Sequence, residues 1–263
     1  TFSIREQMFG LKKRNLHPRF SKLKTTLFLL SVKEWNLEKV NYHLFWKPLK
    51  MIGRKVKFVP VWTWCSLFLV AFGWGLVAEI QFSASREPSN FLPTLLLSTL
   101  GILMVMRSFS ESKKPILAWI LVLFNHVLLA LAIGFNEHFS LTHQIWYLSG
   151  IVPAGLFGLF LLFFLQKKAG SITLKDYQGW SNPYPKLAFL FLFTGLVMTG
   201  FPISPTFIGE DLIFSHIHPD QWWLASIVSV GFILDGLAIL RIYSRVFLGV
   251  YSKGHQSKPY QNS

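Results

Sequence analysis

Two adjacent carboxylates, Glu210 and Asp211, sit in an otherwise apolar stretch of this sequence, and a third, Asp235, sits near the middle of the next one. A carboxylate beside a break in an apolar helix can exchange protons with water, and ionisable groups at membrane depth mark ion or substrate paths. His126, preceded by Asn125, lies midway along another apolar run. Histidine titrates near neutrality and could relay protons between the carboxylates. Lys113 and Lys114 open that run, where they either orient the segment or begin a charged axis. The chemistry these groups offer is reversible binding of protons or small cations. Each also has a plainer reading. Glu210 would be solvated in an external loop, Asp235 a structural carboxylate paired with a neighbouring helix or a basic residue, and His126 a buried ring hydrogen-bonded to another helix.

Other chemistries find little support. His138, His143, His216 and His218 repeat no ligand spacing, so no metal site is expected. The single cysteine, Cys65, lies in an apolar run and can form neither a disulfide framework nor a cysteine metal site. No glycine-rich nucleotide loop, nucleophile elbow or CxxC pair occurs. The chain offers no redox centre of its own, no cofactor is expected, and it is not catalytic alone.

The element that must position Glu210 is the stretch KLAFLFLFTGLVMTGFPISPTFIGEDLIFSHIHPD, from Lys186 to Asp220. Its first apolar helix, about sixteen residues, rises about 24 Å and falls short of a hydrocarbon core of about 30 Å. Gly200, Pro202 and Pro205 require a break, because proline lacks an amide hydrogen and clashes with the preceding turn. A second piece, from about Phe207 to Ile217 and opening at Ile208 and Gly209, can complete the span. Broken backbone at this depth is tolerated only where it is buried in protein or lines a wet cavity.

The sequence is 52% hydrophobic and 14% charged, with a mean hydropathy of +0.42, the composition of an all-α integral membrane protein. Six spans are expected, at about 58–82, 91–106, 115–135, 145–166, 186–217 and 222–248, the fifth a broken helix. The net charge of +14 is not spread over a surface as nucleic-acid binding would require. Fourteen of the 26 basic residues precede position 58, and 25 fall on one side of the six-span arrangement, leaving Arg86 alone on the other. That partition places both termini in the cytoplasm and the loops near Arg86, Glu137 and Asp220 outside. Three regions follow: a basic amphipathic segment at 1–57, a transmembrane domain at 58–250 and a polar tail at 251–263. The basic segment suits an anionic lipid surface or docking to a partner subunit. The first residue, Thr1, suggests a piece of a longer chain.

From Lys113 to Gly249 the order of motifs resembles the antiporter-like membrane subunits of respiratory complex I, the Mrp-type cation antiporters and the membrane-bound hydrogenases. SKKPILAWILVLFNH is similar to the family's lysine-led helix with its later histidine. GIVPAGLFGLFLLFF leads through a loop, with Gly179, Trp180 and Pro185 near the family's glycines and proline, into the broken helix. Glu210, in TFIGED, falls on the family's key lysine or glutamate, and GLAILRIYSRVFLG resembles the arginine-containing end of the next helix. The pattern departs at Ser149-Gly150, where many members have His-Gly, and the earlier half of the family fold has no counterpart.

The resemblance implies the later half of a proton- or sodium-translocating subunit in a larger redox-driven or antiport complex of the NADH-quinone oxidoreductase type. Other membrane subunits would be its partners and a bacterial inner membrane its location. Glu210 would be the terminal titratable site, Lys113 or Lys114 and His126 the inward relay, and Asp235 an auxiliary group. The alternative is a non-transporting membrane scaffold that keeps the fold and anchors a partner.

Overall fold

The computed structural model describes residues 27, 28, 31, 42–56, 58–85, 91–135 and 141–251. The chain divides into two compact units, Thr1–Pro48 and Leu49–Ser263. In the first, the described residues include a π-helical turn, Tyr42–Trp46, with Tyr42 and Leu44 exposed. Most of the basic segment expected at 1–57, the loops at Arg86 and at Glu137 and His138, and all but the first residue of the expected tail lie outside the described residues.

The second unit is helical. After α1 (Lys47–Val56), long helices follow at α2 (Val61–Ser85), α3 (Phe91–Ser110), α4 (Pro115–Gly134) and α5 (Leu141–Ala169). Two short helices, α6 (Pro185–Met198) and α7 (Pro205–Ser215), precede the last long one, α8 (Trp222–Phe247). Five of these are long and apolar enough to cross a membrane. The pair α6 and α7 contributes about 37 Å of helical rise, enough for a sixth crossing. The chain is therefore a helical membrane bundle whose fifth span is broken.

Several boundaries differ from the sequence reading: α3 runs four residues past the expected 106, α5 covers 141–169 rather than 145–166, and the second piece of the broken span is Pro205–Ser215 rather than about Phe207 to Ile217. Proline costs nothing at the first helical position, where its missing amide hydrogen would have no partner anyway.

The core explains why the long helices show no single apolar stripe. Large apolar residues stand on both sides of them: Leu97, Leu121, Leu128 and Leu162 are buried, while Leu69, Leu103, Phe160 and Leu240 are exposed. Trp119 on α4 is fully buried against Gly158 of α5 and donates its indole N–H to the Gly155 carbonyl at 2.8 Å. Phe191 packs between Trp119 and Phe247, tying α6 to α4 and α8. A second cluster joins α2 to α3 and α4, with Phe68 stacked on Phe124 at 3.7 Å. Trp62 and Trp74 on α2 are exposed, as interfacial aromatics are, whereas Trp64 is buried.

Candidate ion-translocation site

The break leaves backbone groups that the helix ladders do not satisfy, and local bonds take up several of them. Thr199 N–H donates back to Gly195 and Leu196 carbonyls, and Phe201 N–H to Leu196. Ser204 N–H and hydroxyl both donate to Phe201 O at 2.7 Å. Gly200 turns the chain at φ +69°, where a side chain would be strained. It also leaves space: a Cβ there would collide with the Glu210 carboxylate. The same glycine thus makes the turn and seats the acid, which is half-buried while Asp211 beside it is exposed.

α7 lies close against α5 because small residues face each other. Gly209 rests on the Tyr147 backbone, and Gly150 rests on Thr206. Glu210 follows Gly209, the residue at this contact, and its carboxylate lies against Gly200.

Beside this contact lies a buried polar cluster. Asp235, near the middle of α8, accepts from Asn125 Nδ2 at 2.6 Å through Oδ2. The same oxygen stands 3.4 Å from His126 Nε2. His126 Nδ1 is hydrogen-bonded to the Tyr147 hydroxyl at 2.7 Å. His126 and Asp235 are each 1% exposed and Tyr147 is not exposed at all. Phe232 packs against the rings of both His126 and Tyr147, keeping the cluster apolar on that side. Asp235 Oδ1 and the Thr206 hydroxyl are buried without a hydrogen-bond partner. Such orphaned groups are costly in a dry interior.

Of the residues singled out in the sequence, Asp235 and His126 are thus brought together with Asn125, and Glu210 stands at the break beside Gly200. Lys113 and Lys114 are not part of this assembly. Both are exposed at the N-terminal end of α4, about 18 Å of helix from His126. The Lys113 amide donates to Glu111 Oε1 at 3.1 Å. Gly200 and Gly209 sit at close approaches, Pro202 in the exposed break and Pro205 at the start of α7. Ser149 is exposed, its hydroxyl donating to Trp146 O at 2.7 Å within its own helix. His143 and His216 approach with ring centroids 4.6 Å apart, and exposed His218 lies 3.8 Å from Asp220. Among the described residues no group of three or more metal-ligating side chains forms.

Three polar features escaped the sequence reading. Tyr147 looks like any aromatic in an apolar run. Gln144 donates to Glu79 Oε1 at 2.5 Å across α5 and α2, with Gly134 making room for both. Arg107 pairs with Glu111 at 3.2 Å in a buried i, i+4 bridge, a spacing visible in the sequence. Arg241 then reaches from α8 to the Ser108 and Glu111 carbonyls at 3.2 and 2.8 Å. The loop before α6 closes the same end of α8. Amides of Gln178, Gly179, Trp180 and Ser181 donate to carbonyls of Arg245, Leu248, Val246 and Phe247. They satisfy acceptors that a helix end leaves open. Arg245 stacks over Tyr177 at 4.3 Å and donates to Lys175 O.

Comparison with known proteins coincides with this part of the molecule. Residues 124–234 match the transmembrane family described as NADH:quinone oxidoreductase/Mrp antiporter. That range includes His126, Tyr147, Glu210 and the break, and ends one residue before Asp235. NADH-quinone oxidoreductase subunit M of Rickettsia typhi is 31% identical over 100 residues, and so is that of Rickettsia prowazekii. Each match takes in 38% of this chain and 20% of the relative, so the aligned region spans about a fifth of either relative's length. Over its later part, this chain resembles the antiporter-like membrane subunits of the NADH:quinone oxidoreductase/Mrp family.

Proposed function

We propose that this chain is the later half of an antiporter-like subunit that moves protons, or sodium, across a membrane, with Glu210 as its terminal titratable site. The observation that carries the reading is a half-buried carboxylate at a helix break in the same bundle as a buried cluster of Asp235, His126 and Asn125. Charged groups at membrane depth cost several kcal/mol, and a function for them explains that cost. On this reading Asp235 and His126 are an auxiliary branch, and Lys113 or Lys114 mark an entrance at one membrane surface. Energy would come from other membrane subunits of a larger complex, as the names of the Rickettsia relatives suggest.

The test is proton flux in proteoliposomes holding the full complex. Asp235→Asn keeps an oxygen for Asn125 to donate to, so assembly should be retained. Flux should fall about fivefold, below the range for loss of a principal acid or base. Wild-type flux would remove Asp235 from the path. The scaffold reading draws on one observation, the outward-facing Ser149 bonded only within its own helix.

The same proposal puts the protein in a bacterial inner membrane with both termini cytoplasmic, residues 58–250 as its transmembrane domain and 1–57 against anionic lipid. With Cys65 replaced, a cysteine at Ser85 should react with an impermeant reagent from outside and one at Ser171 from the cytoplasm. Labelling of both from one face would exclude six spans.

A further inference from the structure

We infer that Asn125 is a positioning residue: it pins Oδ2 of Asp235 as an acceptor and so leaves Oδ1 as the atom that takes up and releases the proton. This rests on the transport reading above and assigns an atom to it. The bond that carries the inference runs 2.6 Å from Asn125 Nδ2 to Asp235 Oδ2, as short as hydrogen bonds to ionised acceptors become. An amide N–H can only donate, so this oxygen must accept. Turned over, the amide would set its own oxygen against a carboxylate oxygen, which repels it. His126 does not compete for Oδ2, because its Nε2 stands 3.4 Å away and makes no hydrogen bond. Asp235 Oδ1 is buried without a partner. One oxygen is thus committed and the other open.

Two glycines build the seat of this amide, each on a helix other than the α4 that carries it. A Cβ at Gly101 of α3 would collide with Asn125 Oδ1. On α8, Gly231 lies one turn before Asp235 on the same face, and a Cβ there would stand 3.7 Å from Asn125 Nδ2. The 1% exposed side chain is therefore held from two sides with its N–H on the acid. Uptake forms an Oδ1–H bond: hydronium gives up one proton and becomes water, and the carboxylate becomes a neutral acid whose C=Oδ2 still accepts from Nδ2. Release breaks the same bond and returns the proton to water.

Infrared difference spectra of the full complex, taken as its acids gain and lose protons, test the atom directly. The Asp235 carboxyl band is identified by its absence from Asp235→Asn. In the wild type that band should lie low, because its C=O accepts a hydrogen bond. Asn125→Leu keeps the branched shape and lacks the amide, so the band should move to higher wavenumber. Proton flux should fall about fivefold, to the level of Asp235→Asn, since the residue acts only through that acid. The double variant should be no slower than Asp235→Asn alone. Independent damage to the packing would multiply instead and leave the band in place. Should Asn125→Leu fail to assemble, Gly101→Ala displaces the amide without removing it and should move the same band. A band that stays in place, or no Asp235 band in the wild type, overturns the assignment of Oδ1. Wild-type flux in assembled Asn125→Leu, where Asp235→Asn is slowed, overturns the positioning role. The infrared readout needs no transport, so the two readings fail separately. Wild-type flux in Glu210→Gln removes the transport reading, whereas an unmoved band removes the inference about Asn125 and leaves Glu210 untouched.

Discussion

Glu210→Gln should abolish proton flux, by about a hundredfold or more as for loss of a principal proton-transfer group, while leaving the complex assembled. The amide matches the carboxylate in shape and retains an acceptor oxygen, so its seat against Gly200 is preserved. What it loses is the cycle of charge and proton. Its effect should exceed that of Asp235→Asn because Glu210 lies at the break, half-buried and open to hydration, whereas Asp235 is enclosed. Glu210→Asp should retain part of the flux, since a shorter acid can still titrate but no longer reaches the same place. A carboxylate kept only for structure predicts the reverse pattern. Neutralising it would then cost little or even stabilise, because a buried charge without a full complement of partners is itself costly. The measurement pairs flux in proteoliposomes with the yield of intact complex. Full flux in a fully assembled Glu210→Gln complex would make the scaffold the better reading.

The membrane spans were legible because bilayer thickness and the placement of basic residues act on the chain locally. The apolar run from Pro115 predicted α4 to within a residue, and the prolines around Gly200 marked the break. Glu210 and Asp235 stood out because acids are rare in apolar runs. Their partners were not legible. Asn125 meets Asp235 across 110 positions, and Tyr147 meets His126 across 21, from different helices. Nothing in one helix's pattern says which residue of another it faces. Lys113 and Lys114 show the opposite case. Their position at a helix start attracted attention, yet the side chain that is buried at that end is Arg107, held by Glu111 one turn further on. The pairing was visible as an i, i+4 spacing, but its burial depends on the ends of α4 and α8 packing over it.

The same dependence on facing helices makes Gly209→Val the substitution expected to cost most in stability. A Cβ at 209 would meet the Tyr147 backbone, with its N at 2.9 Å, and backbone in the middle of a long helix cannot swing aside as a side-chain tip can. Gly150 sets the same limit from the other side, where a Cβ would lie 2.7 Å from Thr206 N. Close approach through small residues is how helices associate when lipid removes the hydrophobic drive between them. Valine at 209 must therefore part α5 from α7 or distort one of them, at a cost of about 3 kcal/mol, the upper end for overpacking. Recovery of intact complex should fall steeply, and flux with it. Gly200→Ala should act differently, because a Cβ there meets the movable Glu210 carboxylate and displaces the acid without parting the helices. Gly73→Val on α2 supplies the control: nothing lies within 4 Å of a Cβ there, so recovery should equal the wild type. Thermal stability in detergent, measured for the three variants side by side, checks the ranking. Normal recovery of Gly209→Val would mean that α5 and α7 do not pack as closely as their glycines allow.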